Sequence, residues 1–108
     1  VNALKVAHNL LNNGTEPIQI IAMLNKYFTG LARLTELTST NTNEYQVARI
    51  LGTHPYYLQD YHNARKIYSN QKLAGVFSAL LKADISLKTT SIDDYTLITV
   101  LIAEILSD

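Results

Sequence analysis

Apolar positions recur at three- and four-residue intervals along almost the whole chain, and helix start and stop signals divide that pattern into six segments. Residues 1–13 place Leu4, Ala7, Leu10 and Leu11 on one face, with Gly14 as a C-terminal stop. Thr15-Glu16-Pro17 then supplies a hydroxyl cap, an acid for the helix dipole and a proline in the first turn. The second helix is predicted to run to about Thr38, with Ile20, Leu24, Tyr27, Leu31 and Leu34 as its stripe and Ile21, Phe28 and Leu37 widening it. At 1.5 Å per residue its length is roughly 34 Å, that of a spine. Gly30 inside it either weakens the helix or permits a close crossing.

Residues 39–42 read as a polar loop. Asn43 and Gln46 form a capping pair for a third helix that stops at Gly52. Pro55 opens a fourth helix through Tyr68, and Ser69 caps a fifth with Leu73, Val76, Phe77, Leu80, Leu81 and Leu87 inward. Ser91-Ile92-Asp93-Asp94 reads as a capping-box variant opening the sixth, 92–106. Its Ile98-Thr99-Val100 is β-branched, but the caps and the spacing of Tyr95, Ile98, Leu101 and Ile105 favour helix. Apolar residues surround this last helix on nearly every side, which predicts broad burial. The expected fold class is all-α, a single compact bundle of five to six helices forming one domain over 1–108.

Composition narrows the function. The chain has 108 residues, 47% of them hydrophobic and 17% charged. Charged residues usually make up about 25%, and this shortage points to a surface that meets a partner. No cysteine is present, which removes disulfides and thiolate sites and suits a reducing compartment. The apolar run 97–106 is half the length a bilayer requires and is broken by Thr99 and Glu104. The start at Val1 shows neither a signal-peptide pattern nor an initiator methionine, so a piece of a longer cytoplasmic chain is expected. Net charge is zero, yet six bases face two acids between Arg49 and Lys88, and three bases face seven acids elsewhere. A basic middle either meets phosphates or an acidic partner, or is simply solvated.

No catalytic, cofactor or metal site is expected. The glycines at 14, 30, 52 and 75 are isolated, so no phosphate-cradling loop exists. No nucleophile elbow occurs, and His8, His54 and His62 lack metal-ligand spacing. Asp93 and Asp94 belong to a first helical turn, where the dipole explains them. Two constellations remain. Gln46-x-Ala48-x3-Gly52, followed by Pro55 and Leu58, has helix-turn-helix spacing, with Arg49, His54, Arg65 and Lys66 as phosphate contacts. Against DNA reading, the supposed recognition helix begins Pro55-Tyr56-Tyr57-Leu58, with few groups for base edges. The other constellation is Tyr56, Tyr57, Tyr61 and Tyr68, suited both to interface anchoring and to the rim of a core.

Gly52-x-His54-Pro55, Ala64-Arg65-x2-Tyr68-Ser69, Leu73, Leu80, Leu81, Asp84 and Leu87-Lys88-Thr89 resemble the C-terminal domain of the bacterial DNA polymerase III delta subunit. Upstream, Gly14-x-Glu16-Pro17 with Leu24, Tyr27-Phe28, Leu31 and Leu34 is similar to the family's preceding helix, so the resemblance spans nearly the whole chain. It departs at Thr89-Thr90, where members often turn through glycine. The resemblance implies a collar domain without catalysis, which holds clamp-loader subunits together while other domains load the sliding clamp on primed DNA during replication. The implied partners are the other clamp-loader subunits. DNA and clamp are reached only indirectly through the full-length protein, and no membrane is involved. A helix-turn-helix DNA binder and another helical interaction domain stand as alternatives. The expected partner interface comprises Tyr57, Tyr61, Arg65, Tyr68, Ile98, Ile102 and Ile105, and Asp84 and Lys88 are expected to pair near the end of the fifth helix.

Overall fold

The computed structural model describes the backbone of residues 3–40 and 43–107, with side chains from residue 5 on. The expected helix start at Val1, the side chain of Leu4 and the loop residues Asn41 and Thr42 lie outside the described residues. Among the described residues the fold is all-α, without strand: α1 (Ala3–Asn12), α2 (Pro17–Thr40), α3 (Glu44–Leu51), a 3-10 turn (Pro55–Tyr57), α4 (Leu58–Ile67), α5 (Asn70–Thr89) and α6 (Asp94–Leu106). They fall into two compact units, one of residues 1–25 with 74–108 and one of residues 26–73.

Helix ends show how local chemistry sets these boundaries. Two glycines hold left-handed conformations, Gly14 at φ 92° and Gly52 at φ 74°. In both places the next residue's amide reaches back five residues, Thr15 to the Leu10 carbonyl and Thr53 to the Ala48 carbonyl, each at 2.9 Å. This closes the orphan carbonyls that any helix end leaves. The cap of α2 is Glu16 rather than the Thr15 hydroxyl, and its amide donates to Gln19 Oε1 at 3.1 Å. Asn43 caps α3 by accepting from the Tyr45 amide at 2.8 Å, while Gln46 takes part through its backbone amide instead of its side chain. Ser69 caps α5 as expected, its Oγ accepting from the Lys72 amide at 3.2 Å.

Three boundaries differ from the sequence reading. Ser39 and Thr40 extend α2 instead of opening a loop, because the hydroxyls of Thr38, Ser39 and Thr40 donate to carbonyls three and four residues earlier in the same helix. The chain after Pro55 makes a 3-10 turn before α4 begins, with His54 Nδ1 accepting from the Tyr56 amide at 3.0 Å. Finally, α6 starts at Asp94 rather than Ile92. Asp93 is the cap, its carboxylate accepting from both the amide and the hydroxyl of Thr96. The Thr89-Thr90 corner needs no left-handed glycine. Both hydroxyls donate at 2.7 Å to the last carbonyls of α5, on Ile85 and Ser86.

The unit of residues 26–73 is built on a cluster of Leu34 and Leu37 from α2, Val47, Ala48 and Leu51 from α3, and Leu58 from α4, with Tyr61 packed against it. Gly30 explains how α2 and α3 come so close, since a β-carbon there would lie 3.0 Å from Leu51 Cδ2. Close crossing therefore accounts for this glycine. An aromatic row completes the unit: Tyr61 on Tyr27 (ring centroids 5.2 Å), Tyr27 on Phe28 (5.1 Å, edge-on) and Phe28 on Tyr68 (5.2 Å, edge-on). Such pairs add about 0.5–1.5 kcal/mol beyond the area they bury.

In the unit of residues 1–25 and 74–108, α1 lies against α6. His8 Nε2 and Thr99 Oγ1 are hydrogen-bonded at 2.9 Å, and the His8 ring sits 5.0 Å from Tyr95. On α6, Leu97, Ile98, Leu101, Ile102 and Ile105 are all buried, in line with the breadth of its apolar surface.

Burial pushes the Tyr27 phenol above its ordinary value of 10.0, with Tyr61, Tyr68 and Asp60 adding repulsion, and burial likewise raises Tyr68. Above about pH 10 the unfolded chain loses these protons while the folded one keeps them, so this stability is complete below that pH and is lost as pH rises through the folded values. A denaturant midpoint flat below about pH 9 and falling above about pH 10 is expected, with a shallower fall in Tyr27→Phe. Equal slopes in the two proteins would contradict the assignment to Tyr27.

Candidate functional site

The residues singled out in the sequence separate into three groups. Tyr57 is 49% exposed and its neighbour Tyr56 79% exposed, their rings edge to face at 5.2 Å. The 3-10 turn puts them there, since the His54 cap fixes the turn and Leu58 is the residue that points inward. Tyr45 and Ile50 on α3 and Ile67 on α4 are exposed in the same unit.

Tyr61 and Tyr68 form the second group. They stand half-buried at the two ends of the aromatic row and already have ring partners within the chain. Arg65 is likewise engaged internally. Its Nη1 donates to the Tyr68 carbonyl at 2.6 Å and its Nη2 to Asn70 Oδ1, while its Nε is buried without a hydrogen-bond partner. The guanidinium thus ties the end of α4 to the start of α5, and in the last turn of α4 a cation also suits that helix's dipole. Losing hydrogen bonds from a charged donor costs about 1.5–3 kcal/mol. Arg65→Ala is expected to lower stability toward the lower end of that range, because the site is partly solvated. An unchanged denaturant midpoint would show that the corner holds without it.

The third group is Ile98, Ile102 and Ile105, expected at a partner surface. They are 0%, 4% and 5% exposed, so the fold itself takes up these side chains. The periodicity that marked them as apolar carries no information about which apolar face turns inward. The large apolar residues of α6 that do face solvent are Tyr95, Val100 and Leu106.

Asp84 and Lys88 meet, with Lys88 Nζ 3.0 Å from Asp84 Oδ2, one turn apart and in the order that suits the dipole. With the Lys88 side chain 60% exposed, the pair is worth only about 0.3–0.5 kcal/mol.

The α3, turn and α4 segment has helix-turn-helix connectivity, with Ala48 buried and Gly52 left-handed. At the start of α4, however, Gln59 Nε2 donates to Asn63 Oδ1 at 3.1 Å, so these amides engage each other. Among the described residues no three His, Cys, Asp or Glu side chains gather as metal ligands. No helix among them is long and apolar enough to cross a membrane.

What the geometry offers is therefore a set of apolar and aromatic side chains left facing solvent on a helical scaffold with capped ends. No curated protein and no solved structure matches the chain. A family model described as the DNA polymerase III delta subunit, C-terminal domain, matches residues 1–105, and the chain belongs to that family.

Proposed function

We propose that this domain is the assembly, or collar, domain of a clamp-loader delta subunit, which holds subunits together while the clamp is loaded onto primed DNA in the cytoplasm. The family assignment over residues 1–105 carries this reading. The exposed Tyr56 and Tyr57 support it, because tyrosines present large rigid area with a polar tip and are enriched at interfaces. No catalytic group is required of the domain. DNA and the sliding clamp are engaged by other parts of the full-length protein.

The test is reconstitution of the full-length delta subunit with the remaining clamp-loader subunits of the same source, followed by gel filtration. Co-elution is expected, and Tyr57→Ala should weaken it without lowering the melting temperature. Failure of the wild-type subunit to enter any complex would end the collar reading. Tyr61→Ala is a poorer probe, because Tyr61 packs on Tyr27 and on the Leu34 cluster, so its loss is felt in stability first.

A further inference from the structure

Helices α5 and α6 enclose an open groove of about 210 Å³. Its α5 side is lined by Ala79 and Ala83, one turn apart, and its α6 side by Leu97 and Leu101, also one turn apart. The two small residues explain why the groove exists, since an alanine leaves room that a leucine would fill. At its edges stand Ile92 and Val100, 40% and 49% exposed, together with Lys82 and Glu104. Among the described residues neither Lys82 nor Glu104 makes an ion pair. The groove spans two helical turns, about 10 Å along either helix, the length over which a packed helix inserts side chains at positions i and i+4.

Charge indicates the occupant. The unit of residues 1–25 and 74–108 contains three lysines (Lys5, Lys82, Lys88) and six acids (Glu16, Asp84, Asp93, Asp94, Glu104, Asp108), a balance of −3. Lys88 is engaged by Asp84. Glu104 lines the groove, and Asp93 and Asp94 directly follow Ile92 at its edge. Charge complementarity across an interface selects partners of opposite sign.

We infer that this groove receives a basic amphipathic helix of a neighbouring clamp-loader subunit, with aliphatic side chains over Ala79 and Ala83 and a lysine or arginine opposite Glu104. The inference rests on the assembly reading and adds to it the surface and the sign of the partner. Lys82, facing a basic helix, opposes the contact.

The test measures binding of the full-length delta subunit to the remaining clamp-loader subunits at several salt concentrations. Glu104→Lys should weaken binding about tenfold or more, the size one central contact commonly carries, and should flatten the salt dependence. Val100→Gln should also weaken it, and Lys82→Glu should bind at least as tightly as wild type. Melting temperatures are read alongside, and if one variant fails to fold the other two decide. Wild-type affinity in Glu104→Lys, or equal weakening by Lys82→Glu, would overturn the groove assignment while leaving assembly intact. Absence of any wild-type complex would instead remove the assembly reading. Self-association of the delta subunit abolished by Glu104→Lys would assign the groove to a second copy and overturn the proposed partner.

Discussion

Ile98→Ala should lower unfolding stability by about 2–5 kcal/mol, with the denaturant midpoint falling and the slope unchanged. Ile98 is 0% exposed, so truncation both removes the transfer free energy of the lost methyl groups and leaves a cavity that helical neighbours refill only partly. Against a total of about 5–15 kcal/mol for a domain, that loss is large enough to make the folded state marginal. The measurement also separates two roles for α6. A variant that keeps its midpoint yet fails to bind clamp-loader subunits would mean Ile98 acts at an interface, contrary to its burial. Val100→Ala, on the exposed side of the same helix, should stay within about 0.5 kcal/mol of wild type, as surface substitutions usually do.

Phe28→Ala should be at least as damaging, about 3–5 kcal/mol. Phe28 is buried and is the centre of the aromatic row, touching Tyr27 edge-on on one side and Tyr68 on the other. Its removal takes away two ring contacts as well as its own buried area, and it opens the environment that raises the Tyr27 phenol. The loss should therefore be accompanied by easier ionisation of Tyr27 in an alkaline absorbance titration. Phe28→Leu, which keeps most of the volume, should recover much of the stability but not the ring geometry. A loss under about 1 kcal/mol in Phe28→Ala would show that the row is peripheral to the core.

Helix number, helix order and the family were legible in the amino-acid sequence, because each rests on local signals. Period-3.6 stripes, glycines at 14 and 52 and proline at 17 act within a turn or two of themselves, and the left-handed φ of both glycines is what their positions demanded. The Asp84 and Lys88 pair was equally readable, since one helical turn of separation is enough to bring them together. Boundaries resting on competition between side chains were harder. Thr38, Ser39 and Thr40 serve a loop or a helix equally well by composition, and only the carbonyls within reach decide.

Tertiary structure alone decided which apolar and aromatic residues face solvent. Tyr57 and Tyr61 are one turn apart in sequence, yet the 3-10 turn leaves the first exposed while Tyr27 of α2 covers the second. Arg65 reads as a free surface cation until the corner between α4 and α5 presents the Tyr68 carbonyl and Asn70 to it. On α6 a helix apolar on nearly every side gives no local reason to bury Ile98, Ile102 and Ile105 and leave Val100 out. Hydrophobic burial is non-directional, so the sequence of one helix states how much surface it has to hide, and only its neighbours determine which side is hidden.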